Sequence, residues 1–243
     1  MKKIELPEYV LADIPKQVRA ALEEDVGSGD ITAQLISADT RAEARIISRE
    51  AAVMCGSAWA DEVFRQLGGD VALEWYIADG DTVAADQLLC TLRGNSRQIL
   101  TGERAALNFL QTLMGTATLT REYVDAVAGK NVTLLDTRKT LPGLRTAQKY
   151  AVLCGGGQNH RLALYDAFLI KENHIAACGS ISEAIARARS LAPERKVIVE
   201  VETRAELEEA IAARPDQVML DEFADQALAE ALALFPEGIT TEL

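Results

Sequence analysis

Four apolar runs in this chain end in ionisable residues: TLLDTRKT at Asp136, Arg138 and Lys139, AFLIKEN at Lys171, VIVEVE at Glu200, and QVMLDEF at Asp221. Each run reads as a strand buried on both faces that delivers charge at its C-terminal tip. In a parallel α/β barrel those tips gather at one face, where active sites form. The chemistry open to such a ring starts with anion binding by fixed cations. Arg138, Lys139, Arg145, Lys149, Arg161 and Lys171 crowd one segment in which Asp166 is the opposing charge, while the chain as a whole carries a net charge of −12. An acidic protein that concentrates cations in one place is suited to hold a small anion in a cleft that focuses their field.

The elements that must position these residues fall into two groups, dividing near residue 105. Before it, EARIISREAAVMCG and ALEWYIADGDTVAADQLLCTLRG read as short strands and turns, with helical pattern at 15–24 and 59–67. This is a small α+β domain. A long helix is expected from Thr101 to about Ala128, with Leu107, Leu110, Leu113 or Met114 and Ala117 at helical spacing. That start puts Arg104 in the first turn, where it opposes the macrodipole, a small cost that Glu103 next door could offset and that a ligand carboxylate held there would explain better. After residue 130 the order becomes strand, loop, helix. Strands are expected at 132–135, 167–170, 197–201 and 218–220, a fifth at 239–243, and helices at 145–153, 181–190 and 204–213. An α/β barrel is the leading architecture, although five strands rarely close one.

Composition removes several function classes. The negative charge argues against nucleic acid, whose binding rests on phosphate neutralisation. No stretch approaches the roughly eighteen consecutive apolar residues of a membrane span, and MKKIELPEYV has no apolar core of a signal peptide. A cytoplasmic enzyme is expected. Cys55, Cys90, Cys154 and Cys178 are scattered, with no metal-like spacing to His160 or His174, and read as reduced, mostly buried thiols. Gly155-Gly156-Gly157 could cradle a phosphate but lacks the GK[ST] ending of a P-loop, and helix termination alone explains one or two of its glycines. DGDTVAADQLL is similar to the turn of lipoyl and biotinyl carrier domains, but no modifiable lysine follows it.

TGERAALNFLQ, DTRKTLPGLRTAQKYAVLCGGGQNHR, DAFLIKENHI, VIVEVE and VMLDEF closely resemble the quinolinate phosphoribosyltransferase family, and EEDVGSGDITAQLI fits as well. The resemblance covers essentially the whole chain. It implies an N-terminal α+β sandwich (residues 1–105) followed by an open, incomplete parallel α/β barrel (106–243). It also implies transfer of phosphoribose from phosphoribosyl pyrophosphate to quinolinate with decarboxylation, giving nicotinate mononucleotide, CO2 and pyrophosphate in de novo NAD synthesis. Arg104, Thr137, Arg138, Lys139, His160, Arg161 and Lys171 are then expected to bind the dicarboxylate, a task suited to arginine forks. Lys139 is placed to contact both substrates, and Glu200 and Asp221 face the ribose and Mg2+. Lys139, Lys171, Glu200 and Asp221 form the catalytic set. By the same resemblance the protein is a homodimer or larger homo-oligomer in which Arg104 enters the neighbouring subunit's site.

Family members continue past the position of Leu243 with a Ser-Gly loop and a Gly-Ala loop that hold the donor's 5′-phosphate. A chain lacking these and the last barrel strands is expected to bind the donor weakly. Three other readings stand beside the main one: a same-fold paralogue with another substrate, a Schiff-base aldolase using Lys171, and a non-catalytic binding or scaffold form. The TGGT-like phosphate loop of the other major phosphoribosyltransferase fold is absent.

Overall fold

The computed structural model describes residues 4–243, so Lys2 and Lys3, part of the reading of the chain's start, lie outside the described residues. It comprises two compact units, Met1–His160 and Arg161–Leu243. No helix among the described residues is long and apolar enough to cross a membrane.

Unit 1 opens with α1 (Glu8–Leu11) and α2 (Ile14–Asp25), followed by β1 (Arg41–Ile47), β2 (Ala52–Val53), α3 (Ser57–Gln66), β3 (Val71–Trp75), β4 (Thr82–Val83) and β5 (Leu88–Asn95). β1, β5 and β3 form an antiparallel sheet in that order, and β2 pairs antiparallel with β4. β5 runs directly into α4 (Ser96–Ala126). Asn95 makes that junction: its side chain accepts hydrogen bonds from the amides of Arg97 and Gln98, satisfying two of the donors a helix start leaves free. The helix therefore begins five residues before the expected Thr101. Ile99, Ala106, Phe109, Leu110, Leu113 and Ala117 form its buried stripe against the sheet and α3.

The last helix of unit 1, α5 (Arg145–Gly155), packs on α4. Gly155 permits the approach, since a Cβ there would lie 2.4 Å from Thr120 Cβ and 2.6 Å from the Ala117 carbonyl oxygen. Trp59 of α3 and Tyr150 of α5 pack with ring centroids 5.7 Å apart and planes tilted by 35°, and the Trp59 indole donates to Gln17 Oε1 at 2.7 Å. These contacts carry α5 into the core of unit 1, so the compact units part at 160/161, well beyond the sequence division near 105.

Unit 2 alternates β6 (Ala167–Ile170), α6 (Glu172–Cys178), α7 (Ile181–Leu191), β7 (Lys196–Val201), α8 (Arg204–Ala213), β8 (Gln217–Leu220), α9 (Asp225–Leu232) and β9 (Thr240–Glu242). Its four strands are parallel in the order β6-β7-β8-β9. β7 is buried from Val197 to Val201, as expected of an inner strand covered on both faces. Ser180 caps α7, and Thr203 with Glu206 forms a capping box on α8. The protein is thus a mixed α/β fold with one small antiparallel-sheet domain and one parallel-sheet domain.

The expected strand at 132–135 is not formed. Val132 is exposed, and a single parallel bridge, Leu135 to Gln158, stands in its place. Only two backbone bonds make it, Gln158 N–H to Leu134 O (2.9 Å) and Asp136 N–H to Gln158 O (3.1 Å). Beyond Gln158 the segment turns to bond the Asp136 carboxylate instead of extending the ladder.

Candidate active site

In unit 1 the site is built around a buried carboxylate. The Asp136 side chain, 6% exposed, accepts from Lys149 Nζ, from Asn159 Nδ2 at 2.7 Å and from the His160 amide at 2.9 Å. Lys149 reaches it from α5 and is itself 1% exposed. This removes Lys149 from the solvent-facing basic cluster: it is neutralised inside the protein, because an unpaired ammonium at that depth would be prohibitively desolvated. Arg138 lies two residues past Asp136, half-buried, with an Nε that is enclosed and meets no acceptor among the described residues. Buried donors are ordinarily bonded, so an exception asks for an explanation. Lys139 is exposed; its backbone amide is tied to Thr137 Oγ1 at 3.0 Å, while the Thr140 amide closes on Arg138 O at 3.0 Å. Thr137, Lys139, Thr140 and Gln148 line a cavity of about 400 Å³ beside α4 and α5. A larger cavity, about 790 Å³, runs between β1 and α4 and is lined by none of the expected site residues.

In unit 2 the charged groups sit at the C-terminal ends of parallel strands. Lys171 follows β6, and its main-chain amide donates to His174 Nδ1 at 3.1 Å. Its ammonium pairs with the carboxylate of Glu200 on neighbouring β7; Glu200 is 9% exposed and Lys171 41%. Asp221 follows β8 and is positioned by its amide's bond to Val201 O at 3.0 Å and by Glu222, whose φ of 57° turns the chain sharply after it. Arg161 donates to Ala167 O at 3.4 Å. Burial works to raise the Asp166 carboxyl, but the amides of Ala163 and Leu162 and the Arg161 guanidinium outweigh it and hold it below its ordinary range. Glu202 is pushed above its ordinary value, first by desolvation and then by the charges of Glu222, Glu206, Glu172 and Asp221. These carboxylates concentrate negative field beside Asp221.

Arg104 is not joined to either group. It lies on the exposed side of α4 and makes no hydrogen bond or ion pair with another expected site residue among those described. Because α4 starts at Ser96, Arg104 is beyond the first turn, and the macrodipole argument for a carboxylate at that position fails. The three glycines have structural explanations: Gly155 admits α4, Gly156 ends α5 at φ 96°, and a Cβ on Gly157 would crowd Val152.

Sequence spacing missed two groupings. One is the Asp136, Lys149, Asn159 and His160 network. The other is Cys55, Asp79 and Cys154, whose ligand atoms lie within 4.8 Å of one another. Asp79 already accepts from the amides of Gly56 (3.1 Å) and Ser57 (3.3 Å) and from the Tyr150 hydroxyl (3.1 Å). Burial raises the Cys55 thiol well above its ordinary value, which leaves it a packed, protonated thiol.

Two family models match the chain: the quinolinate phosphoribosyl transferase N-terminal domain over residues 30–114 and its C-terminal domain over residues 116–241. The probable nicotinate-nucleotide pyrophosphorylase (carboxylating) of Bacillus subtilis is 42% identical over 220 residues, 90% of this chain and 76% of that protein. The Mycobacterium leprae nicotinate-nucleotide pyrophosphorylase is 43% identical over 85% of this chain and 74% of its own. The solved nicotinate-nucleotide pyrophosphorylase of Francisella tularensis superposes with a TM-score of 0.90 at 43% identity, covering 98% of this chain and 83% of that one. With both family domains matched in order, and with relatives this similar over most of their length, the chain belongs to the quinolinate phosphoribosyltransferase family.

Proposed function

We propose that this protein transfers phosphoribose from phosphoribosyl pyrophosphate to quinolinate with loss of CO2, as a pentosyltransferase that yields nicotinate mononucleotide. The observation that carries this reading at the level of residues is Arg138, whose enclosed Nε lacks an acceptor beside a rigidly held loop. A dicarboxylate supplies that acceptor, and the guanidinium fork matches carboxylate geometry. By the family resemblance, Thr137, Arg138, Lys139, His160, Arg161 and Lys171, with Arg104 of a neighbouring subunit, are assigned to the dicarboxylate. Lys139 also contacts the donor. Glu200 and Asp221 are assigned to the ribose hydroxyls, where they stabilise positive charge developing at the anomeric carbon.

Glu200 and Asp221 would also hold Mg2+, in part through the donor's phosphates. When bound, that ion would neutralise charge on the departing pyrophosphate. The chain's own residues do the remaining work. The cations orient the pyridine so that its nitrogen faces the anomeric carbon, and the pyridinium that forms accepts the electron pair released by the C2 carboxylate. In the dimer of this proposal, the exposed Arg104 completes the dicarboxylate pocket of its partner. The four parallel strands of unit 2 are read as part of an open α/β barrel, and residues 1–105 and 106–243 as its functional domains. The absence of a membrane-crossing helix among the described residues is compatible with a cytoplasmic setting.

The test supplies quinolinate labelled at the C2 carboxylate, phosphoribosyl pyrophosphate and Mg2+. Labelled CO2 and pyrophosphate are expected in equal amounts, and none without the donor. Product formation that ignores the donor, or borohydride trapping of a substrate on Lys171, would sink this reading.

A further inference from the structure

Asp136 and Lys149 grip the main chain of His160 from both sides. The Asp136 carboxylate accepts its amide at 2.9 Å, and Lys149 Nζ, already paired with that carboxylate, reaches its carbonyl oxygen at 3.5 Å. Asn159 braces the grip: its Nδ2 donates to Asp136 at 2.7 Å and to Lys149 O at 2.9 Å, and its Oδ1 accepts from the Tyr9 hydroxyl at 2.9 Å. The same Asp136 starts the loop that carries Thr137, Arg138 and Lys139. One carboxylate therefore sets the position of that loop and of His160 together, with α5 as the anchor through Lys149.

We propose that the buried Asp136–Lys149 pair, braced by Asn159, is a positioning device for the dicarboxylate-binding half-site. Neither residue is a catalytic residue. The physical case is one of cost and placement. A buried ion pair is weak stabilisation, because an apolar pair of similar volume does as well or better. What an apolar pair cannot do is accept the His160 amide and hold its carbonyl while fixing the residue two positions before Arg138. The loop's far end is tied to α5 by Leu141 N–H to Gln148 Oε1 at 2.7 Å and Arg145 Nε to Thr140 Oγ1 at 3.3 Å, and at its near end, beside the single Leu135–Gln158 bridge, the Asp136 carboxylate is the side-chain anchor. Small misplacements of binding groups weaken recognition strongly.

The inference rests on the dicarboxylate reading given above. Its test uses the full chain with the double substitution Asp136→Asn and Lys149→Met, which removes both charges, leaves no ammonium unpaired and keeps an acceptor for the His160 amide. Pyridine-2,3-dicarboxylate binding is measured by calorimetry, both KM values by steady-state kinetics, and folding by thermal melting. The expected result is a folded protein with dicarboxylate affinity weakened about tenfold or more and a clearly smaller rise in the KM for phosphoribosyl pyrophosphate, which meets this loop through Lys139 alone, so that the ratio of the two KM values changes. A purely structural pair would move the melting temperature and leave the ratio of the two KM values alone. A folded double variant that binds the dicarboxylate as well as the parent overturns this proposal only; a parent that binds no dicarboxylate overturns the functional reading with it. Should the double variant fail to fold, Asn159→Ala decides. It loosens the brace without stranding a charge, and an unchanged dicarboxylate KM overturns the proposal.

Discussion

Lys149 and Lys171 belong to the same basic segment of the sequence, yet one is sealed against Asp136 and the other is 41% exposed beside Glu200. Burial and partners therefore assign roles that residue type alone cannot. Arg138 is the sharpest case for binding, because its Nε is enclosed with nothing to bond. Replacing Arg138 with Ala removes charged hydrogen bonds worth about 1.5–3 kcal/mol. A rise of about 10- to 100-fold in the quinolinate KM is expected, with melting little changed; an unaltered KM would take Arg138 out of the pocket. Asp166 gives a pH-dependent counterpart. Its carboxyl is held below the ordinary 3.8, so the ionised form stabilises the fold fully above that pH and the benefit disappears as pH falls through the lowered value. Asp166→Asn should lower the melting temperature at pH 7, and the difference from the parent should shrink as pH falls below the ordinary 3.8 and through the lowered value. A constant difference across that range would contradict the linkage.

At the scale of elements, the close crossing of α4 and α5 sets where Lys149 ends up. Gly155 is the residue that lets it happen, with Thr120 Cβ and the Ala117 carbonyl at 2.4 and 2.6 Å from any added Cβ. Gly155→Ala forces the helices apart or strains them, and overpacking of this kind costs about 1–3 kcal/mol. Chemical denaturation should show that loss, and a variant as stable as the parent would mean that the crossing relaxes freely. The shift of α5 would also reach Asp136 through Lys149. Quinolinate binding should therefore weaken along with stability, a coupling not expected of an equally destabilising change in the β1–β5–β3 sheet.

At the scale of the molecule, the proposed exchange of Arg104 between subunits gives a test that needs no structure of the assembly. Arg104→Ala and Lys171→Ala chains should each be nearly inactive alone. Mixed in equal amounts and allowed to exchange, they form hybrid dimers with one intact site each, and about a quarter of the parental activity should return. A mixture no more active than its components would place Arg104 outside a shared site. The formal charge of −12 bears on the same scale. Anionic substrates are repelled by the whole and attracted only by the local cations, so the KM for both substrates should respond to ionic strength in the low-salt range.

Much of the parallel-sheet domain was readable from the chain alone. β6, β7 and β8 lie where their Val, Ile and Leu runs place them, α8 spans 204–213 as its pattern requires, and Lys171 and Asp221 follow their strands directly. Such features depend on residues within one turn or one strand, so periodicity and caps suffice to set them. The start of α4 was missed because Asn95 caps it straight from a strand, leaving no loop to read. The strand expected at 132–135 failed because an apolar run becomes a strand only if a neighbour extends the ladder, and here Gln158 supplies one bridge. The sequence alone determined which strands of the parallel sheet end in charged residues, because strand runs and the residues that follow them are set locally. Only the tertiary structure decided that Lys149 is not among the exposed ones and that Asp136 is a hub, because burial and pairing arise from contacts between segments that sequence order keeps apart.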